Sequence, residues 1–288
     1  MTDVTVAGLG DMGTALAITL LDNGYSVTVW NRSADKAAPV TAAGAELAGT
    51  FAAAVEASPV IITCITSHDR TIQLVEDLQD SLQGRTLIEL STGGITEAEK
   101  LAQLLTEKGA GWLIGAISGY PSSVGKEELV LLTAGKPEVW EKWENLIKTL
   151  GGSSVYVGDR AAMIPTLFAA LFTTRQGFMF GMIYGGLICR KAGISLEEFA
   201  RQVPVAMGVM PSYHQYFSDS VVDEKFESPE ASMTTYAAAL DDALSSFEAL
   251  GVSAELPKLL SELAHRGVDA GLNDKALTAL IGILADDH

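Results

Sequence analysis

The first 24 residues constrain the fold most, because they read as a strand, a glycine-rich turn and a helix in immediate succession. The strand segment is VTVAGLG and the helical segment is TALAITLLDNG, and between them Gly8, Gly10 and Gly13 stand at GxGxxG spacing. In such a turn the first glycine allows the bend, the second lets the backbone approach a pyrophosphate, and the third lets helix pack on strand. A purely structural turn is the alternative. The context favours a dinucleotide site at the helix N-terminus.

Short β-branched runs alternate with helical patterns from residue 3 to about residue 157. Seven runs predict strands: VTVAGLG, SVTVWNR, PVIITCIT, TLIELST, WLIGAIS, LVLLTAG and SVYVG. This alternation predicts an α/β Rossmann domain with a doubly wound parallel sheet. After about residue 160 only helical patterns follow. We therefore expect a Rossmann domain over residues 1–160, a long interdomain helix over residues 161–190 and an all-α domain over residues 191–288.

The segment from Met163 to Cys189 is too apolar for an ordinary surface helix. Arg175 and Gln176 interrupt it near its middle, where a lipid-facing helix would hardly tolerate a charge. A buried helix is the better interpretation. The N-terminus lacks the basic region of a secretory signal, and the two cysteines have neither disulfide nor metal-ligand spacing. We therefore expect a cytoplasmic protein without a metal site.

The formal net charge of −17 bears on the choice of partner. Nucleic acid and anionic lipid both require basic patches that offset their phosphates, so neither is an expected partner. A small neutral or cationic substrate suits this charge better. The alternative is that the acidity serves only solubility.

The residues after the second predicted strand indicate which dinucleotide binds. This strand ends in Asn31, Arg32 and Ser33, with Lys36 about one helical turn further on. A cofactor without a 2′-phosphate usually meets an acidic residue at the strand end, whereas a guanidinium, a hydroxyl and an ammonium can hold a phosphate. The pattern predicts NADPH. The alternative is that Arg32 is an ordinary solvated charge.

Several segments together resemble one enzyme family. They are VAGLGDMGTALA, VWNRSADKA, ELSTGGITEAEKLA, IGAISGYPSSVGKEELVLLTAG and ASMTTYAAALDDALSSFEALGVSAELP. In this order they resemble the NADPH-dependent imine reductases and reductive aminases, relatives of the β-hydroxyacid dehydrogenases. The resemblance implies NADPH-dependent reduction of C=N bonds in a small imine, or in an amine–carbonyl pair. It also implies an intertwined homodimer, with each active site between the Rossmann domain of one subunit and the helical domain of the other.

The apolar helix fits this dimer. Gly177, Gly181 and Gly185 recur in it every four residues, and small residues on one face let another backbone approach closely. Obligate dimer interfaces resemble a protein core cut in half. The resemblance implies that this helix is buried by its own chain and by the partner subunit.

Two phenylalanines stand where the resemblance places catalytic groups. The β-hydroxyacid dehydrogenases carry a Lys early in the interdomain helix and an Asn four positions later. Counting back from Gly193 puts Phe168 and Phe172 at these positions, and neither can move a proton. The AISGYPSS loop is also more similar to that of imine reductases. Those enzymes commonly have Asp or Tyr at the Phe168 position, and a small error in the count would bring Thr166 there.

Without this acid, the mechanism depends on placement of the reacting atoms. A substrate that arrives as a protonated iminium needs no acid from the protein, and the ring faces of Phe168, Phe172 and tyrosines can hold such a cation. Tyr213 or Tyr236 is the favoured proton source otherwise, although each is also typical of a core tyrosine with a satisfied hydroxyl.

The resemblance implies three sets of site residues. The catalytic set is Thr92, Phe168, Tyr213 and Tyr236. The substrate-binding set is Ile117, Ser118, Tyr120, Phe172, Gln176, His214 and Met233. The NADPH-binding set is Gly8, Leu9, Gly10, Asp11, Met12, Asn31, Arg32, Ser33, Lys36, Cys64, Ile65, Thr66 and Thr92. Two other functions stay open: a carbonyl reductase or hydroxyacid dehydrogenase, and a catalytically silent NADPH-binding protein.

Overall fold

An eight-stranded sheet forms the centre of the N-terminal part of the chain in a computed structural model, which describes residues 1–227 and 229–285. The strands are β1 (Val4–Ala7), β2 (Val27–Trp30), β3 (Glu46–Leu47), β4 (Val60–Thr63), β5 (Thr86–Glu89), β6 (Gly111–Ser118), β7 (Val130–Gly135) and β8 (Val155–Gly158). Their spatial order is β3-β2-β1-β4-β5-β6-β7-β8. The order reverses between β1 and β4, which is where open α/β sheets bind their ligands. The predicted Rossmann architecture is confirmed.

Two features of the sheet differ from the sequence prediction. Strand β3 was not predicted; it has only two residues, and both are exposed. Strand β7 runs antiparallel to β6, whereas the other neighbouring strands are parallel. The reason is the connection: residues 119–129 form a loop with one 3₁₀ turn, Pro121–Ser123, which is too short for the crossover that a parallel pair requires.

Helices cover both faces of the sheet. They are α1 (Asp11–Asp22), α2 (Ala38–Ala42), α3 (Phe51–Glu56), α4 (His68–Glu76), α5 (Ile95–Glu107) and α6 (Pro137–Leu150). Leu16 of α1 and Trp140 of α6 belong to one buried apolar cluster. Ile72 of α4 and Leu101 of α5 belong to a second one. Burial on both faces explains why the central strands are continuous apolar runs rather than alternating ones.

The rest of the described chain is helical. The helices are α7 (Met163–Lys191), α8 (Leu196–Ala206), α9 (Met210–Val222), α10 (Met233–Ala249), α11 (Glu255–Asp269) and α12 (Leu280–Ala285). Ser195 and Ser232 cap α8 and α10, because each hydroxyl accepts a hydrogen bond from a backbone N–H three residues later. Within the ranges that the structure describes, no helix has both the length and the apolar character that crossing a membrane requires.

The chain divides into two compact units, residues 1–172 and residues 173–288. Helix α7 contains this border and covers nearly the same residues as the predicted interdomain helix. The finer division at residues 160 and 190 stays a prediction. Residues 228 and 286–288 of the predicted helical domain lie outside the described residues.

Candidate active site

The glycine-rich turn after β1 depends on the absence of side chains. Gly8 has a φ of 102°, and a Cβ there would overlap the backbone carbonyl of Cys64 at the end of β4. A Cβ on Gly13 would overlap the carbonyl of Gly8. Gly10, by contrast, caps α1 and faces open space. Two glycines therefore permit close packing, and the third leaves the helix N-terminus accessible to an anion.

The end of β2 holds this turn in place. The backbone N–H of Leu9 donates to Oδ1 of Asn31 at 3.0 Å, and that of Gly8 donates to the carbonyl of Trp30 at 2.8 Å. The Asn31 amide also donates to the carbonyl of Ser33 at 2.9 Å. One side chain thus links the glycine-rich turn to the loop that carries Arg32.

A cavity of about 560 Å³ lies at the switch point of the sheet. Its wall includes every residue of the predicted NADPH-binding set except Thr92: Gly8, Leu9, Gly10, Asp11, Met12, Asn31, Arg32, Ser33, Lys36, Cys64, Ile65 and Thr66. The glycine turn, the open helix end and the two exposed cations fit a dinucleotide with an additional phosphate.

The sequence interpretation missed part of this wall. Trp30 and four residues of α4 and its end also line the cavity: Arg70, Gln73, Leu74 and Asp77. Nη1 of Arg70 donates to Oε1 of Gln73 at 2.8 Å. Helix α4 follows β4, the strand next to β1, so the reversal in strand order brings it to the site.

A second cavity, of about 270 Å³, adjoins the first and shares Met12, Cys64 and Ile65 with it. Thr92, Ile117 and Phe168 of the predicted catalytic and substrate-binding sets line it. The rings of Phe168 and Phe172 stack with their centroids 5.8 Å apart. Ser118 and Tyr120 are exposed and do not belong to this wall.

A buried polar network lies beside the second cavity and was not predicted. Nδ1 of His68 lies 3.0 Å from Oε1 of Glu89, which also accepts from the Thr71 hydroxyl at 3.1 Å. The Thr63 hydroxyl donates to the other carboxylate oxygen. His68 and Glu89 are 2% and 0% exposed, and His68 lines the cavity. A carboxylate inside the apolar strand TLIE was the sequence signal that could have revealed this network.

Cys64 lies between this network and both cavities. Burial, and secondarily the negative charge of Glu89, raise the pKa of its thiol to about 12. A protonated thiol is a poor nucleophile and acid, so Cys64 contributes an apolar wall rather than chemistry.

The other predicted residues belong to the second unit. The rings of Tyr213 and Tyr216 are tilted by 45° with their centroids 6.4 Å apart, and the pKa of Tyr213 is raised by burial and then by Tyr236 and Tyr216. A raised pKa makes Tyr213 a weaker acid. Gln176 is half-buried and His214 is exposed.

Met233 is fully buried, and its side chain would contact any Cβ added at Gly267 of α11. The predicted roles of Tyr213, Tyr236, Gln176, His214 and Met233 stay predictions. Among residues 1–227 and 229–285, no group of three or more His, Cys, Asp or Glu side chains is placed to hold a metal ion.

Two family models match the chain and together cover most of it. Residues 3–158 match the NAD binding domain of 6-phosphogluconate dehydrogenase. Residues 162–286 match the C-terminal domain of NADPH-dependent reductive aminase-like proteins. The solved structure of a reductive aminase from Aspergillus terreus, in complex with NADPH and ethyl levulinate, superposes with a TM-score of 0.90 at 31% sequence identity, and the match covers 99% of both chains. The chain belongs to the imine reductase and reductive aminase family.

Other members of this family are similarly close. The NADPH-dependent reductive aminase of Aspergillus oryzae is 29% identical over 286 residues, covering 96% of this chain and 95% of its own length. An imine reductase from Bacillus cereus superposes with a TM-score of 0.91 at 27% identity and covers 99% of both chains. Family membership confirms the predicted resemblance and the order of the two domains.

Proposed function

We propose that this imine reductase-family protein uses NADPH to reduce the C=N bonds of cyclic imines and iminium ions to amines. The pair of adjoining cavities carries this proposal. The larger cavity has the features of a dinucleotide site, and the smaller one is mostly apolar and has room for a small ring. The reductive aminases and imine reductases that resemble the chain over almost its full length support the same function.

NADPH supplies a hydride to the imine carbon, and the residues present fit its binding. The turn from Gly8 to Gly13 offers the N-terminus of α1 to the pyrophosphate. Arg32, Ser33 and Lys36 lie in the same cavity wall and would hold the 2′-phosphate through charge-assisted hydrogen bonds.

The second cavity selects for a cationic or readily protonated imine. Its wall combines Phe168 and Ile117 with the small residues Gly93, Gly115 and Ala116. The ring face of Phe168, which lines this cavity, attracts an iminium cation. Phe172 stacks on Phe168 but is not part of the cavity wall. Phe168 has no proton to donate, so the proton on nitrogen comes from solution or from another residue.

The decisive experiment follows NADPH oxidation with a five- or six-membered cyclic imine, across a pH series that spans the pKa of the imine's conjugate acid. NADPH oxidation with the imine, at higher kcat/KM than with the corresponding ketone, is the expected result. Oxidation with ketones alone would instead indicate a carbonyl reductase. Tight NADPH binding without turnover of imines, ketones or amine–ketone pairs would indicate a silent homologue.

We also propose that the protein acts as a homodimer with α7 at the interface. Phe178, Met179, Phe180 and Ile183 of this helix are between 48% and 61% exposed. Gly177 and Gly181 face open space, whereas Gly185 packs against the ring of Phe199 in α8. Such exposed apolar surface is typical of an obligate interface.

Light scattering tests the dimer, which we expect at twice the chain mass of 30.3 kDa. A Gly181→Leu variant puts a bulky side chain on the open face and should shift the population towards monomer. A monomeric wild-type protein at micromolar concentration would contradict the proposal.

A further inference from the structure

His68 presents one free nitrogen to the second cavity. Its Nδ1 is engaged with Glu89, and the structure shows no hydrogen bond at Nε2. In the part of the chain that the structure describes, no fully buried side-chain nitrogen or oxygen lacks a partner. Nε2 therefore retains contact with the cavity that His68 lines.

The neighbours of His68 fix its orientation. Its backbone N–H donates to the carbonyl of Thr92 at 3.1 Å, and its ring packs so closely on Gly93 that a Cβ there would overlap it. Thr92 and Gly93 line the same cavity. The imidazole is thus held by its backbone, by one ring face and by Nδ1, as a pre-organised group must be.

The other side chains of this wall cannot supply a proton near neutral pH. Most are apolar, and the hydroxyls of Ser91 and Thr92 are poor acids. Burial and the charge of Glu89 raise the pKa of the Cys64 thiol to about 12. Phe168 has no acidic group. His68 is the group in this wall whose side-chain type exchanges protons in the neutral range.

Glu89 suits a supporting role. Its carboxylate accepts from Thr63, Thr71 and His68 at once, and these hydrogen bonds fix its orientation beside the imidazole. An ionised carboxylate at Nδ1 keeps a proton on that nitrogen and stabilises the imidazolium, as the Asp does for the His of a serine protease triad.

We propose that His68 is the proton donor of the reaction, with Glu89 as its positioning residue; this inference rests on the proposed reduction of C=N bonds. As the hydride from NADPH adds to the carbon of a neutral imine, the C=N π electrons move to nitrogen. Nitrogen takes the proton from Nε2–H of the imidazolium. The products are a neutral amine and a neutral imidazole, which regains its proton from solvent.

The test compares 2-methyl-1-pyrroline, whose nitrogen must gain a proton, with its N-methyl iminium salt, which has the same ring, one additional methyl group and a permanent charge and so needs no proton. Turnover is measured at a pH at which the free imine is mostly unprotonated. In His68→Asn we expect kcat for the imine to fall about 10²- to 10⁴-fold. We expect kcat for the N-methyl iminium to stay within about threefold, since no proton is transferred to its nitrogen.

The dissociation constant of NADPH, measured by fluorescence titration, separates proton donation from cofactor positioning. We expect His68→Asn to change it by less than about threefold. An equal loss of turnover with both substrates, with or without weaker NADPH binding, would overturn the inference, and so would no loss with either. If the wild-type protein reduces neither substrate, the proposed function itself fails.

Glu89→Gln provides an independent test, and it decides the matter if His68→Asn does not fold. The titratable groups that share the network or cavity with His68 are Glu89 on β5 and Cys64 after β4, while Asp69 and Arg70 follow it on α4 and are exposed. The neutral amide that this substitution introduces no longer stabilises the imidazolium of His68. The alkaline limb of the pH–rate profile for the imine should therefore move to lower pH. An unshifted limb would overturn the inference.

His265→Asn is the matched control. His265 also pairs with a carboxylate, Asp241 at 2.9 Å, but both side chains are about half exposed in the second unit. This variant should leave unchanged the ratio of kcat for the imine to kcat for the N-methyl iminium, and also the pH–rate profile for the imine. A shift as large as that of Glu89→Gln would show that the pH effect does not come from His68, and would overturn the inference.

Discussion

Oδ1 of Asn31 accepts the backbone N–H of Leu9 at 3.0 Å, so a side chain after β2 fixes the glycine-rich turn after β1. Asn31→Ala removes this bond and leaves the N–H without its partner, at a cost of about 1 to 1.5 kcal/mol. We expect the dissociation constant of NADPH to rise about tenfold in a fluorescence titration. Asn23→Ala is the control, because the Asn23 amide donates to the carbonyl of Thr19 at the end of α1 and not to the glycine-rich turn. Unchanged affinity of Asn31→Ala for NADPH would show that the glycine-rich turn keeps its conformation without this hydrogen bond.

The glycines of this turn should respond differently to the same substitution. A Cβ on Gly13 overlaps the carbonyl of Gly8, so Gly13→Ala should lower the free energy of unfolding by about 1 to 3 kcal/mol or more. A Cβ on Gly10 meets open space, so Gly10→Ala should keep its melting temperature but weaken NADPH binding by obstructing the helix end. Thermal melting and NADPH titration separate the two effects. Equal melting temperatures of both variants would contradict this account.

The fold was largely predictable because its determinants are local. The strand–turn–helix unit and the alternation of strands and helices are visible in sequence, and right-handed βαβ crossovers make a doubly wound sheet the expected result. Strand β3 was not predicted, because its two exposed residues, Glu46 and Leu47, have no apolar pattern. The antiparallel direction of β7 was not predicted, because strand propensity is the same for both directions. Only the length of the loop between β6 and β7 indicates the direction.

Arg32 should determine the preference for NADPH over NADH. It lines the dinucleotide cavity together with Ser33 and Lys36. Arg32→Ala removes one charge-assisted contact with the 2′-phosphate, so KM for NADPH should rise about 10- to 100-fold, while kcat/KM with NADH changes less than about threefold. Lys148→Ala on α6, which removes an exposed cation paired with Glu144, should change neither value. A parallel loss with both cofactors would place Arg32 outside the phosphate site.

Cys64 should resist alkylation in the folded protein. With its pKa raised to about 12, its thiolate fraction at pH 8 is roughly a thousandfold lower than that of a free thiol. In a Cys189→Ser background, we expect the reaction with iodoacetamide to be slow when folded and fast in denaturant. Glu89→Gln removes the charge that contributes to the raised pKa, so alkylation should accelerate. Equally fast alkylation of the folded and unfolded protein would contradict the buried position of Cys64.

The site was less predictable than the fold. The residues proposed to bind phosphate follow strands with recognisable turn chemistry, so the sequence could place Arg32 and Lys36 in the wall of the dinucleotide cavity. His68 and Glu89 are 21 residues apart and meet only because β4 and β5 are neighbours in the sheet. No local pattern expresses this pairing. A single buried carboxylate in an apolar strand indicates that a partner exists, but not which residue it is.

Phe168 lines the second cavity, and the sequence prediction puts it where imine reductases commonly carry Asp or Tyr. On this prediction Phe168→Asp introduces a second proton donor, and its apolar surroundings raise the pKa of the new carboxyl group so that more of it stays protonated. We expect kcat for a neutral cyclic imine to rise by at least several-fold. The rise should stay below the 10²- to 10⁴-fold that a sole general acid contributes, because His68 is already a proton donor in the wild-type site.

Phe168→Leu is the control: it opens similar space without a carboxyl group and should produce no rise. The gain should be larger in the His68→Asn background, where no other donor competes. If Phe168→Asp and Phe168→Leu give the same rate in both backgrounds, a carboxyl group at residue 168 does not reach the substrate nitrogen, and the alignment of α7 with the family's acid position is wrong.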